Sequence, residues 1–117
     1  MKIKIISFIL AAAALLSAFF YTRSDIASSD EIKQWIDKGA LIVDVRTPEE
    51  FAAARFEGAV NIPLSELEKN LQIFGDKDMK IIVYCRTGNR SGQAKKILIK
   101  NGFENVINGG GLSDMNK

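Results

Sequence analysis

The sequence predicts a small α/β domain in which a parallel sheet is covered by helices on both faces. Two short runs rich in β-branched residues, Leu41–Val45 and Ile81–Tyr84, read as buried strands. Helix-start signals recur between and after them. Strands that alternate with helices need crossover connections, and these favour a parallel sheet with both faces buried.

The elements follow in order. Ser28 and Glu31 stand three apart, as in a capping box, and open a helix that places Ile32, Trp35 and Ile36 on one face. Gly39 closes it. The strand Leu41–Val45 comes next. Thr47, Pro48 and Glu50 form a second start signal, with Pro at the first helical position, for a helix reaching about Ala54. A very short strand lies within Gly58–Pro63. Ser65 and Glu68 repeat the capping pattern and predict a helix to about Leu71. After the polar turn at 75–78 and the strand ending at Tyr84, Ser91–Asn101 reads as a helix with Ala94, Ile97 and Leu98 inward, closed by Gly102. Asn105–Ile107 is a last short strand, followed by Gly109, Gly110 and Gly111.

This domain is expected to occupy residues 25–117. Residues 1–24 read as a targeting segment. Lys2 and Lys4 precede a nearly unbroken apolar run of 17 residues, Ile5 to Tyr21, with no charge in it. A basic start followed by an apolar stretch is the pattern of a secretory signal, and a soluble-domain helix would carry a polar stripe. The expected location is the periplasm. Cleavage leaves a free domain, with possible cuts after Ala18 or Ser24. An uncleaved segment, at the short limit for a spanning helix, would anchor the chain to the inner membrane facing the periplasm. That segment is then the only expected membrane contact.

Composition narrows the chemistry. The chain has 16 Lys and Arg against 14 Asp and Glu, which gives no basic surplus of the kind nucleic acids require. It has no His and one Cys. The usual general base and the commonest zinc ligand are missing, and neither an internal disulfide nor a thiolate metal site can form. No metal or cofactor is expected.

Cys85 then stands out. It follows a predicted central strand, and ligands of open parallel sheets bind beyond the carboxyl ends of strands. Arg86, Thr87, Gly88, Asn89 and Arg90 come next, then the helix beginning near Ser91. A tight turn at Gly88 would aim successive amides at one centre and form an anion-binding nest, reinforced by the helix N-terminus. Arg86 and Arg90 can add full charges, or can be solvated loop residues. Such a setting lowers a thiol pKa below the ordinary value of about 8.5. A thiolate formed in this way needs no His. The competing reading of Cys85 alone is a small buried hydrophobe at a strand end.

These segments resemble the rhodanese family. Leu41 to Pro63, with Asp-Val-Arg, Glu followed by an aromatic, and Gly-Ala-x-Asn-Ile-Pro, is similar to the family's first signature. Ile81 to Gly92 resembles its active-site loop, and Gly-Gly-Gly-Leu near the end also fits. A single domain behind an export segment looks most like the small periplasmic thiosulfate sulfurtransferases of the phage-shock type. The resemblance implies a rhodanese-like three-layer α/β/α fold with a five-stranded parallel sheet. It also implies a ping-pong cycle in which a donor such as thiosulfate leaves sulfur on Cys85 and a thiol or cyanide removes it. On that pattern the persulfide is cradled by the amides of Arg86 to Arg90, and Asp44 and Arg46 support the site architecturally. The chain departs from the pattern at Arg55, where many members have His, and after Gly111, where others carry an aromatic and a further helix.

Two alternatives stay open. Phosphatases and arsenate reductases of this fold place five residues between Cys and Arg, whereas Cys85 and Arg90 have four between them. A non-enzymatic persulfide carrier or partner-binding module is the other.

Overall fold

The computed structural model describes residues 25–117. The targeting reading of residues 1–24 lies outside the described residues. No helix among the described residues is long and apolar enough to cross a membrane.

The chain runs α1 (Ser29–Asp37), β1 (Leu41–Asp44), α2 (Pro48–Ala53), β2 (Val60–Asn61), a 3-10 segment (Leu64–Phe74), β3 (Lys80–Cys85), α3 (Asn89–Lys100), β4 (Asn105–Gly111) and α4 (Leu112–Met115). The four strands form one parallel sheet in the order β2-β1-β3-β4. Beyond β4, Ile26 makes a single parallel bridge to Asn108. Among the described residues, therefore, the expected five-stranded sheet consists of four strands and this bridge.

Strand alternation divides the core between the two faces. Ile81, Val83 and Cys85 of β3 join Val43, Leu67, Phe74, Ala94, Leu98 and Phe103 beneath α3 and the 3-10 segment. Ile82 and Tyr84 point the other way, to Ile32, Ile42, Ile107 and Met115, with Trp35 and Ile36 of α1 packed against them. The three-layer reading is thus correct, and Cys85 belongs to the α3 side.

Ser28 caps α1 by accepting from the Glu31 amide. Thr47 and Glu50 form the full reciprocal box of α2, with Pro48 at its start. The Ser65 reading is corrected. Residues 64–74 are 3-10 rather than α-helical, Pro63 precedes them without any side-chain cap, and Asn70 breaks the helical path at φ −122°. The Leu64 amide donates to the Val45 carbonyl, which pins the start of the segment to β1. The Asn70 side chain donates back to the Glu66 carbonyl, a local bond of the kind that competes with helical hydrogen bonding. Other boundaries move too: β1 ends at Asp44, and β3 runs from Lys80 and takes in Cys85. Helix α3 begins at Asn89 rather than Ser91, and β4 extends through Gly111. Past Gly111 the chain makes the short turn of α4 and buries Met115.

Candidate active site

Cys85 ends β3 and is wholly buried. The loop after it holds only three residues, Arg86 to Gly88, because α3 starts at Asn89. Gly88 makes this possible. It caps α3 with φ at 100°, in the left-handed region, and a Cβ there would lie 2.8 Å from Ile26 Cδ1 and 3.3 Å from Gly110 Cα. The loop is therefore closed down onto β4 and the Asp25–Ala27 segment, where only glycine fits.

The turn aims the Gly88 amide at Cys85 Sγ, 3.0 Å away. The Ser91 hydroxyl lies 3.3 Å from the same sulfur. Burial pushes the thiol pKa up. Hydrogen bonds from the Ser91 hydroxyl and from the amides of Ser91, Thr87 and Gly88 outweigh it, so the net shift is downward. The shift comes mainly from hydrogen-bonding dipoles around the sulfur.

Buried polar atoms hold this cradle from behind. Asn108, fully buried, donates from Nδ2 to the Gly88 carbonyl at 3.0 Å and accepts at Oδ1 from the Gly110 amide at 2.9 Å. Its Oδ1 also accepts from the Ser91 hydroxyl at 2.7 Å. Ser91 has one hydroxyl hydrogen for two acceptors, Asn108 Oδ1 and Cys85 Sγ. The Ala27 amide ties the Asn108 carbonyl from the outer side at 2.8 Å. Neither Ser91 nor Asn108 was singled out by the sequence reading. The available signals were a small polar residue six positions after Cys85 and an amide side chain between a buried strand residue and a glycine run.

The other site residues divide into three groups. Arg86 and Thr87 are exposed on the loop. Asn89 and Arg90 are in the first turn of α3 rather than in the loop. The Arg90 guanidinium makes a two-pronged pair with Glu50, at 2.7 and 3.0 Å. The same pair, with the Thr47 bonds, holds the Glu50 carboxyl down at about 2, and Arg90 is pushed up mainly by its bond to Glu50. Arg90 also senses the charge of Cys85. Asp44 and Arg46 pair with each other at the end of β1. Asp44 accepts from the Arg46 amide, Nε and Nη2, the last at 2.6 Å, and Arg46 Nη2 also donates to the Ala54 carbonyl. This bond to Asp44 raises the Arg46 pKa. Val45, Arg46, Thr47, Pro63, Leu64, Ser65 and Arg90 line a cleft of about 260 Å³.

A parallel α/β domain that ends a central strand on a lone thiol, held by a tight loop and a helix start, defines the class of cysteine-loop α/β domains. The chain belongs to the rhodanese-like domain family, whose pattern matches residues 28–116. It is 43% identical over 74 residues to the thiosulfate sulfurtransferase PspE of Escherichia coli, which spans 62% of this chain and 71% of that protein. It is 39% identical over 83 residues to a putative sulfur carrier protein, YrkF, of Bacillus subtilis, covering 69% of this chain and 44% of that one. Among solved structures, a rhodanese with anions from E. coli superposes with a TM-score of 0.62 at 42% identity, over 65% of this chain and 91% of that chain. A human single-domain sulfurtransferase superposes at 0.66 with 31% identity, over 72% and 87%.

Proposed function

We propose that the protein is a thiosulfate sulfurtransferase whose sulfur carrier is Cys85. The observation that carries this is the amide and hydroxyl cradle around Sγ, whose hydrogen bonds favour the thiolate. The similarity to a thiosulfate sulfurtransferase supports the same reading.

The Cys85 thiolate attacks the outer sulfur of thiosulfate. The S–S bond of the donor breaks and sulfite leaves with the electron pair. The resulting persulfide is an anion again, so the same cradle holds it, with the amides of Thr87, Gly88 and Ser91 as the persulfide-binding donors. Cyanide then attacks the outer sulfur, thiocyanate leaves and the thiolate returns. A thiol acceptor leaves instead as a hydropersulfide. No step needs a proton taken by His, and none needs a cofactor. Gly88 shapes the loop, while Asp44 and Arg46 brace the neighbouring strand end. In this reading the segment 1–24 exports the domain to the periplasm, either released or held at the inner membrane.

The carrier reading has one observation in its favour, the similarity to a putative sulfur carrier protein. Steady-state assay separates the two. With thiosulfate and cyanide, the domain should form thiocyanate catalytically, with parallel lines in double-reciprocal plots. Loading of sulfur with no turnover to any small acceptor would favour the carrier.

A further inference from the structure

The Glu50–Arg90 pair is the feature of the cleft that sulfur transfer leaves unused. Two arginines line the cleft, and each is matched by a carboxylate: Arg46 by Asp44 and Arg90 by Glu50. The two pairs differ in exposure. The Asp44 side chain is fully buried, whereas those of Glu50 and Arg90 are 28% and 32% exposed. Glu50 is therefore open to solvent, and it pairs with an arginine that lines the cleft. Arg90 directly precedes Ser91, whose hydroxyl lies 3.3 Å from Cys85 Sγ. With the carboxylate oxygen 2.7 Å from the guanidinium, the two charges act together as a dipole, whose field fades faster than that of a free cation. The Thr47 box on one side and Arg90 on the other fix the carboxylate in place. An anion that enters this cleft meets two arginines, each already paired with a carboxylate.

We infer that Glu50 is a specificity-determining residue, which checks the charge of Arg90 and biases the site from dianionic donors such as thiosulfate toward hydropersulfides of lower charge. The inference rests on the sulfur-transfer reading and deepens it. With such a donor, the Cys85 thiolate attacks the terminal sulfur of R–S–SH. The S–S bond breaks, and R–SH leaves with the hydrogen while the persulfide stays on Cys85.

The test uses E50Q, R90Q and the double variant, with kcat/KM measured separately for thiosulfate and for a simple alkyl hydropersulfide. Gln at position 50 keeps an oxygen for the Thr47 box. Freeing Arg90 in E50Q should raise the thiosulfate-to-hydropersulfide ratio about three- to tenfold at low salt, because a dianion gains more from one added charge. The ratio should fall in R90Q, return toward wild type in the double variant, and lose its contrast near 1 M salt, where screening reaches about 3 Å. A purely structural role would lower both rates together and leave the ratio fixed, which would overturn the inference. If the wild type takes sulfur from neither donor, the sulfur-transfer reading falls and this inference with it. If it takes sulfur and the ratio does not move in E50Q, only the role of Glu50 falls.

Discussion

The ends of β1 and β3 lie side by side in the sheet, and each buries an acidic group among different partners. At the end of β1, Asp44 is satisfied by Arg46, a full counter-charge at 2.6 Å that is itself buried and bonded to Ala54. At the end of β3, Cys85 is surrounded by amides and a hydroxyl and has no ion-pair partner among the described residues. Burying a charge requires compensation in either case. An ion pair compensates by committing both groups to each other, which suits a brace. Oriented dipoles compensate without occupying the group, and in the proposed cycle they leave the sulfur open to a substrate and follow its charge outward when the persulfide forms. On the proposed function, the difference separates architecture from chemistry within two adjacent strands.

The comparison predicts a ranking of effects. The largest belongs to β1. Asp44→Ala leaves the Arg46 guanidinium buried without its counter-charge and should cost about 3–5 kcal/mol. Denaturant unfolding checks this, and whatever fraction folds should still transfer sulfur. A stable, well-folded and inactive Asp44→Ala protein would erase the distinction between the two strand ends.

The β3 end should respond more mildly. Ser91→Ala removes the one hydroxyl hydrogen that Sγ and Asn108 Oδ1 share and should cost about 1–3 kcal/mol. It should also move the pH midpoint of Cys85 alkylation upward, since the hydroxyl bond lowers the thiol pKa. The sign can be checked in stability as well. The folded thiol titrates below its unfolded value, so its contribution is present above the ordinary thiol pKa and is lost as pH falls through the folded one. An unchanged alkylation midpoint would mean that the amides alone set the thiolate.

The smallest stability effect belongs to Arg90. Its pair with Glu50 is partly exposed, so Arg90→Ala should cost no more than about 1 kcal/mol. It should nevertheless raise the KM for thiosulfate, because Glu50 is left as an uncompensated anion in the cleft. Glu50 titrates at about 2 in the fold against an ordinary 4.5. The pair's contribution is present above 4.5 and is lost as pH falls toward 2, so the stability gap between variant and wild type should close over that window. A gap that persists at pH 2 would assign it to packing.

What the sequence made legible were the features encoded locally. The β-branched runs of β1 and β3 carry their own strand signal, and Thr47-Pro48-Glu49-Glu50 states its cap and first turn in four residues. The position of Cys85 beyond a central strand was equally readable. The features it hid depend on contacts distant in sequence. Ser65 and Glu68 carry a capping pattern, yet the Leu64 amide is taken by Val45 and the segment tightens to 3-10. Glycine weakens strands on average, yet residues 109–111 complete β4 because the Cys85 loop and α4 pack where side chains would stand. Arg90 is adjacent to the loop in sequence, but Glu50, forty positions away, decides what its charge can do. Asn108 shows the same limit: nothing near it in the chain reveals that its amide bridges Gly88, Ser91 and Gly110.

The most direct measurement is the intact mass of residues 25–117 after incubation with thiosulfate and removal of excess donor. The wild type should gain the mass of one sulfur atom and lose it on addition of cyanide or dithiothreitol. Cys85→Ser, nearly isosteric within the same cradle, should fold and gain nothing. A folded wild-type domain that never acquires the added sulfur, from thiosulfate or from a hydropersulfide, would contradict the assignment of Cys85 as the sulfur carrier.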